Sequence, residues 1–457
     1  MFDSEKKPAR PVPAYGLPTL TMLVIASMVG VGVFTTSGFT LAAVGTPARV
    51  MLCWAIAGAI AMSGAVAYAQ LARRMPESGG EYLYLSRNVH PVVGFLAGWV
   101  SLTAGFSGAI ATAAVGFERY AMPDTIRPAW LPTDSVAILL VVLCAVAHGR
   151  HAVTGKQLQN GVVIVKLVTL FVFGAMVLLK LPTHSWHWQP STVPEDDMWQ
   201  SAVAIATSLV WISLSYAGFN AAIYVASESS EARRNVPRAL LLGTGLVTLL
   251  YLMLNAVFVT SVPVSELAGQ EAVAAIAAAA IGGDWLEMLM RVAVSLGLLS
   301  SVMGMIMTGP RVYSRMADDG VFPLMFAASR QGVPRSIFLQ AGIAVGLILL
   351  QRILVATGLL SSSLLGLLMY LSTTLSVTSA VCVATLFLPQ VRREAKPSKR
   401  ADAAAAIYVL TTTLSIALLV QSHKVNGQSQ GLWHLTGAVI TFATGLIAWT
   451  VFQRRRA

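Results

Sequence analysis

Charged residues are scarce in this chain. Only 11% of its 457 residues are charged, whereas 56% are hydrophobic. A water-soluble domain cannot bury so much apolar side chain, so the composition excludes a soluble enzyme or binding module and indicates a polytopic membrane protein. Cysteine is scarce too. Cys53, Cys144 and Cys382 all lie within apolar runs, which excludes a disulfide framework and predicts small buried side chains.

Motifs for nucleotide and metal chemistry are missing. The glycine-rich stretches lie inside apolar runs and do not form a phosphate-binding loop, so we do not expect ATP-driven transport by this chain. The histidines at 148, 151, 184 and 187 are not combined with cysteine or carboxylate at zinc-ligand spacing. A membrane-embedded enzyme would need clustered carboxylates or histidines at depth. We therefore predict no catalytic residue, no metal and no cofactor.

Long apolar runs are abundant instead. A helix needs about 20 apolar residues to cross the hydrocarbon core of a bilayer, and about twelve such runs are present. The runs begin near Leu17, Pro47, Val92, Thr133, Gly161, Gln200, Ala239, Trp285, Ile337, Leu364, Ala403 and Leu432. The sequence therefore predicts an all-α polytopic membrane protein with about twelve transmembrane helices.

The net charge of +11 comes from loops on one side of the predicted membrane. Most of the 31 lysines and arginines lie in alternate loops, and the other loops collect acids such as Glu195 and Glu271. The positive-inside rule then places the tails 1–14 and 453–457 in the cytoplasm. Because the basic residues are spread over many loops, we expect the lipid bilayer, and no nucleic acid, as the partner.

The first and sixth predicted spans share an unusual feature, a glycine interruption. Spans one to five (residues 15–182) can be laid over spans six to ten (residues 199–390), and residues 403–452 form two further helices. Five is an odd number, so the second set enters the membrane from the opposite side. This pattern predicts a 5+5 inverted repeat with discontinuous helices 1 and 6, and a substrate site between the halves.

The two interruptions suggest what would bind. An unwound helix exposes N–H groups on one half and C=O groups on the other, which suit a carboxylate and an ammonium group respectively. A zwitterionic α-amino acid carries both. We expect the amides of Val31 and Gly32 to bind the carboxylate, and carbonyls near Met28, Leu214 and Ala217 to face the ammonium. The alternative is that these glycines only permit close helix packing.

Three motifs resemble a known family. Residues 29–34 (Val-Gly-Val-Gly-Val-Phe) are similar to the first-helix signature of the amino acid–polyamine–organocation superfamily. Residues 215–220 (Ser-Tyr-Ala-Gly-Phe-Asn), then Glu228 and 235–239, resemble the sixth-helix region of its L-type amino acid transporter branch, and residues 309–323 resemble the end of its eighth helix. The resemblance implies a permease of ten core helices plus two. It implies substrate contacts from Met28, Val29, Gly30, Val31, Gly32, Leu214, Ser215, Ala217, Gly218 and Phe219.

Departures from the family pattern bear on the substrate. Val31 replaces a small hydroxyl residue, Leu214 replaces an aromatic gate, and Ala217 stands where cationic exchangers of the branch carry aspartate. Because neither break contains an acid, we predict a neutral amino acid substrate. A proton-coupled transporter of polyamines or cationic amino acids on the same fold is the alternative. A non-transporting receptor or assembly subunit is an alternative of another class.

Coupling and gating residues follow from the same comparison. Lys166 lies inside the fifth span, where a lysine either snorkels to the interface or has a function. A lysine there is typical of sodium-independent members, so we predict a fixed sodium substitute or a proton carrier. Tyr216 beside the second break is a candidate gate. Glu228 is either a solvated charge or an inner gate paired with a residue such as Arg311. Ser300 and Ser301 are weaker candidates for sodium ligands.

The partner and the membrane are also predicted by resemblance. Animal members of the L-type branch join a glycoprotein through a cysteine between spans three and four, but residues 120–133 contain none. The chain also contains no Asn-x-Ser/Thr glycosylation site. We therefore expect no disulfide-linked glycoprotein subunit. We predict a bacterial inner-membrane permease that works as an exchanger or with protons.

Overall fold

The computed structural model describes residues 15–150, 168–169, 171–188, 198–229, 231–327, 332–360, 362–394, 398–425 and 433–454. Within these ranges the regular structure is helical, apart from one isolated bridge between Tyr15 and Ser229. This agrees with the all-α prediction from composition.

The principal helices follow the predicted spans. In chain order they are α1 (Leu17–Met28), α2 (Gly32–Val44), α3 (Pro47–Arg74), α4 (Gly80–Asn88), α5 (Pro91–Ala121), α6 (Ser135–Arg150), α7 (Phe171–Lys180), α8 (Met198–Tyr216), α9 (Ala232–Thr260), α10 (Val273–Asp318), α11 (Gly332–Ala356), α12 (Ser363–Ala384), α13 (Lys399–Val425) and α14 (Trp433–Arg454). In the described part of the chain, nine spans are long and apolar enough to cross a membrane, and the pair α1–α2 makes a tenth. The shorter apolar helices α6 and α7 flank residues 151–167, which lie outside the described ranges.

Both predicted interruptions are present. Between α1 and α2 the chain bends by 41° at Val29–Val31. After α8 it turns at Gly218, whose φ of +96° is a conformation that glycine adopts without strain, and continues as a 3₁₀ segment, Ala221–Glu228. The first and sixth spans are therefore discontinuous.

Gly283 separates two helical parts of α10. Its φ of +67° and ψ of −165° are not helical, so the long part of α10 begins directly after it, in agreement with the predicted start of the eighth span near Trp285. The alanine-rich residues before Gly283 form a separate helical segment, because alanine favours helix and because they pack against the bundle. One feature was not predicted, a π-helical stretch in α5, Ser101–Gly108, which contains two glycines.

Among the described residues, loops that carry basic side chains meet at one end of the bundle, here named the basic face. Ser78 and Ser227 exchange backbone-to-hydroxyl hydrogen bonds of 2.8 and 2.9 Å there. The Tyr15 amide donates to the Glu228 carbonyl at 3.1 Å. At the other end, the opposite face, Arg119 pairs with Glu271 at 2.9 Å. The structure thus groups the loops as the alternation predicted. The cytoplasmic assignment of the basic face, the repeat boundaries and the extra-helix boundaries stay predictions.

Candidate functional site

The two helix breaks lie against each other in the middle of the bundle. A Cβ atom on Gly32 would lie 2.2 Å from the Ser215 hydroxyl oxygen, and one on Gly218 would lie 2.7 Å from the Ser27 carbonyl oxygen. Each glycine therefore allows the backbone of the other break to approach. Residues separated by almost two hundred positions in the sequence form one site, as the paired interruptions predicted.

A single hydroxyl group joins the breaks. Tyr251 on α9 directs its hydroxyl at the Met28 carbonyl, 2.7 Å away, and at the Ser215 carbonyl, 2.9 Å away. The side chain is fully buried, and the rings of Trp54 and Tyr216 pack against it at 5.4 and 5.1 Å. Sequence reasoning missed Tyr251. The available signal was a tyrosine deep in an apolar span, because a buried phenol needs a hydrogen-bond partner.

The backbone of the first break provides free donors. Gly32 is the first residue of α2, so its N–H has no acceptor one turn earlier in the helix. Among the described residues, nothing accepts a hydrogen bond from the Val31 or Gly32 amides. The Met28 carbonyl also accepts from the Gly30 amide at 2.8 Å, and the Leu214 carbonyl accepts from the Ala217 amide at 3.0 Å. The donors predicted for a carboxylate are thus available, whereas two of the predicted ammonium acceptors already have protein partners.

The remaining predicted site residues fall into two groups. Gly30, Leu214, Ala217 and Gly218 keep partial access at the breaks. The buried ones are Met28, Val29, Val31, Gly32, Ser215, Tyr216 and Phe219. They form the supporting shell of the site.

Two of the buried residues show what that shell contacts. Val31 packs against Gly116 of α5, which explains why its side chain does not reach the accessible side. Tyr216 donates to the Trp54 carbonyl at 3.2 Å within the core. The substrate contacts and the gating role of Tyr216 stay predictions.

The residues predicted to couple and gate transport, other than the tyrosine beside the second break, lie away from the two helix breaks or outside the described ranges. Lys166 lies outside the described ranges, so its predicted role stays untested. A carboxylate oxygen of Glu228 lies 3.8 Å from a guanidinium nitrogen of Arg311 on the basic face, where both side chains are partly exposed. This contact is one of the two arrangements expected for Glu228, and its role as a gate stays a prediction. Ser301 donates to the Gly297 carbonyl of its own helix at 3.1 Å. This bond is typical of hydroxyls in membrane helices.

An acid beside the second break was not predicted. Glu81 of α4 is only 4% exposed, and its Oε1 accepts hydrogen bonds from Tyr68, from Ser379 at 2.9 Å and from Asn220 at 3.3 Å. Asn220 lies two residues beyond Gly218. Burial raises the pKa of the Glu81 carboxyl, and the bonds from Tyr68 and Ser379 oppose that shift. An acid in a loop that enters the bundle gives only a weak sequence signal.

The opposite face contains a cavity of about 720 Å³. Arg119, Asp134 and Glu271 line it together with Arg291 and Arg352. Burial raises the pKa of the Asp134 carboxyl, and the Arg119 guanidinium opposes this. Charged side chains of both signs therefore line this cavity, and its lining does not include the residues of either helix break.

Comparison with known proteins agrees with this arrangement of broken helices. A family model described as amino acid permease matches residues 15–447, nearly the whole chain. The chain belongs to the amino acid permease family. It has the fold of the amino acid–polyamine–organocation superfamily and is a multi-pass membrane protein.

Named relatives of this permease include animal and bacterial proteins. The large neutral amino acids transporter small subunit 2 of Homo sapiens is 25% identical over 317 residues, which are 68% of this chain and 59% of the human protein. Asc-type amino acid transporter 1 of Homo sapiens is also 25% identical over 317 residues, with 68% and 60% covered. The branched-chain amino acid permease BcaP of Bacillus subtilis is 22% identical over 321 residues, with 66% and 67% covered. The match thus spans about three fifths of the animal relatives.

Proposed function

We propose that this permease is a sodium-independent secondary transporter of neutral L-amino acids that works by alternating access. The contact between the two helix breaks is the observation that carries the proposal. Gly32 meets Ser215, Gly218 meets Ser27, and Tyr251 hydrogen bonds to both breaks. Backbone amides and carbonyls at one point of the bundle can bind the charged groups shared by all α-amino acids.

The absence of an acid within either break supports a neutral substrate. Ala217 provides no counter-charge, and the described residues that contact the breaks directly are uncharged. A second positive charge there would be buried without a partner. Relatives carry names that refer to large neutral and branched-chain amino acids, which agrees with this choice.

Contacts at the basic face support the alternating-access part of the proposal. The Ser78–Ser227 pair, the Glu228–Arg311 pair and the Tyr15–Glu228 bond join segments at the basic face, and Arg119 pairs with Glu271 beside the charged cavity of the opposite face. Transport would require these few polar contacts to separate. The basic face is the cytoplasmic side in this proposal, the membrane is a bacterial inner membrane, and Lys166 takes the place of sodium.

A transporter of cationic amino acids or polyamines is the second candidate, because of Glu81. Its carboxyl lies 3.3 Å from the Asn220 side chain, close to the second break. Three donors already occupy its Oε1, and one of them, Tyr68, packs against the Phe219 ring at 5.5 Å. The neutral substrate is therefore favoured.

Uptake into sodium-free proteoliposomes tests the proposal. Labelled L-leucine, L-alanine and L-arginine would be offered with and without the same unlabelled amino acid inside, and with and without a proton gradient. We expect leucine or alanine uptake without sodium. Dependence on internal substrate would establish exchange, and dependence on the proton gradient would establish symport. Arginine uptake as fast as leucine uptake, or a steep requirement for sodium, would contradict the proposal.

A further inference from the structure

Glu81 is built into the bundle although it belongs to a connecting helix. It follows Gly79 and Gly80, both with positive φ, and a Cβ on Gly80 would lie 2.2 Å from the Tyr224 ring. These glycines bring the start of α4 under the second break. The Glu81 side chain is consequently buried, whereas other described loop acids such as Asp124 and Glu266 are exposed.

Three elements donate hydrogen bonds to this one carboxyl group. Tyr68 belongs to α3, Ser379 to α12, and Asn220 to the segment that follows the second break. Among the described residues, the other titratable groups that face it are Tyr224 of the 3₁₀ segment, Tyr408 of α13 and Cys382 of α12. All of these side chains are neutral at ordinary pH. In the part of the chain that the structure describes, no lysine, arginine or histidine contacts Glu81.

Another buried acid of the chain shows the contrast. Glu118 of α5 is also fully buried, but it pairs with Arg127 at 2.6 Å and accepts from the Asp134 and Ala137 amides at 2.7 and 2.8 Å. A buried carboxylate without a cation is costly in its charged form. Glu118 therefore has a cation and two amide donors beside it, whereas the described side chains that donate to Glu81 are all neutral.

We propose that Glu81 is a proton-binding site that is occupied while the basic face is closed and is emptied when that face opens. The inference rests on the proposed function, because it requires that face to open. Asn220 and Tyr224 belong to the segment that must leave α4 on opening, and their departure would admit water to the carboxyl group.

The direction of the pH effect follows from linkage. Burial raises the Glu81 pKa in the closed state, and hydration lowers it again in the open state. The closed state therefore binds the proton more tightly, and protonation stabilises closure. That stabilisation is complete below the open-state pKa and is lost as the pH rises through the closed-state pKa. The sensitive range begins near the ordinary value for glutamate and extends upward.

Cys382 provides a reporter that does not depend on substrate. Its side chain is fully buried beside Glu81 and Tyr68, so a thiol reagent reaches it only when the basic face opens. With Cys53→Ala and Cys144→Ala as background, N-ethylmaleimide labelling of Cys382 would be timed from pH 5.5 to 7.5. The labelling rate would be divided by the labelling rate of the same protein carrying Glu81→Gln. This ratio cancels the pH dependence that comes from ionisation of the Cys382 thiol itself.

We expect this ratio to rise with pH by up to about tenfold per pH unit, the limit for one linked proton. The matched control is Glu77→Gln in the same loop, whose native acid pairs with Arg87 at the surface, and it should leave the ratio as in the unmodified background. A ratio that stays flat across this range would overturn the proposal. So would a complete absence of labelling in both proteins, since the face would then not open.

If Glu81→Gln does not fold, a second variant tests whether Glu81 is the titrating group. Ser379→Ala removes one donor that favours the ionised carboxyl, so the midpoint of the pH dependence should move to higher pH. An unchanged midpoint would contradict the proposal. Labelling that depends on pH without uptake of any neutral amino acid would support the proton site and refute the proposed substrate. Uptake of a neutral amino acid with a flat labelling ratio would support the proposed substrate and refute the proton site.

Discussion

Gly32→Ala should slow transport far more than Gly30→Ala, although both changes add one methyl group to the same break. The new Cβ at position 32 would lie 2.2 Å from the Ser215 hydroxyl oxygen, 2.9 Å from its Cβ and 3.0 Å from its Cα. At position 30 the nearest atom is the Met28 carbonyl oxygen at 3.9 Å, which is an ordinary contact. Only the first change forces the two breaks apart.

The expected size follows from overpacking. Inserting one methyl group into a filled site costs about 1–3 kcal/mol, which corresponds to about 5- to 150-fold in a rate or equilibrium constant. The penalty falls on every conformation in which Gly32 meets Ser215. Gly30→Ala should stay within about twofold of the unmodified protein, because its contact lies at ordinary van der Waals distance.

The assay is counterflow of labelled L-leucine in proteoliposomes, normalised to folded protein by size-exclusion chromatography. Adding Ser215→Ala to Gly32→Ala removes the contact at 2.2 Å and should restore part of the rate. The unmodified protein, the two single variants Gly32→Ala and Ser215→Ala, and the double variant form a double-mutant cycle. Equal rates for Gly30→Ala and Gly32→Ala, or a double variant no faster than Gly32→Ala, would refute the reasoning.

Two further predictions concern the same site. Tyr251→Phe removes the hydroxyl group that donates to two buried carbonyl oxygens, so it should lower the free energy of unfolding by about 1–3 kcal/mol. Tyr313→Phe is the control, because the buried Tyr313 hydroxyl has no partner among the described residues, and it should leave the stability unchanged. A lower melting temperature for both variants would contradict this. Gly218→Ala combines a left-handed backbone with a contact of 2.7 Å, whereas Gly269→Ala has the same backbone sign and open space. The first should therefore lower the melting temperature more than the second, by overpacking worth about 1–3 kcal/mol, and equal effects would show that the contact is unimportant.

The parts of the fold that depend on local composition could be predicted from the sequence. Long apolar runs indicated the membrane helices, and glycines inside two of them indicated the breaks, because both signals lie within one segment. The alternation of loops placed Glu228 and Arg311 on the same side, and their contact at 3.8 Å is one of the two arrangements that the sequence analysis left open. The start of the eighth span near Trp285 could be predicted as well, because Gly283 interrupts the helical backbone of α10 just before it.

The features that join distant segments could not be predicted in this way. Tyr251 lies 223 residues from Met28, and nothing around either residue indicates that the two will meet. Glu81 reads as a loop acid until α4 is seen to enter the bundle beneath Asn220. Which acid is buried and which tyrosine is bonded depends on tertiary packing, whereas hydrophobicity and glycine content report only on the local segment.

The Tyr251 hydroxyl also restricts how the bundle can move. Its two acceptors belong to different broken helices, so a displacement of one break relative to the other would remove a buried hydrogen bond. Trp54 of α3 packs against both Tyr216 and Tyr251, and α3 lies along α9 for much of its length. The broken helices, α3 and α9 should therefore travel as one rigid body, and sliding should occur where this body meets α5, α10 and α12.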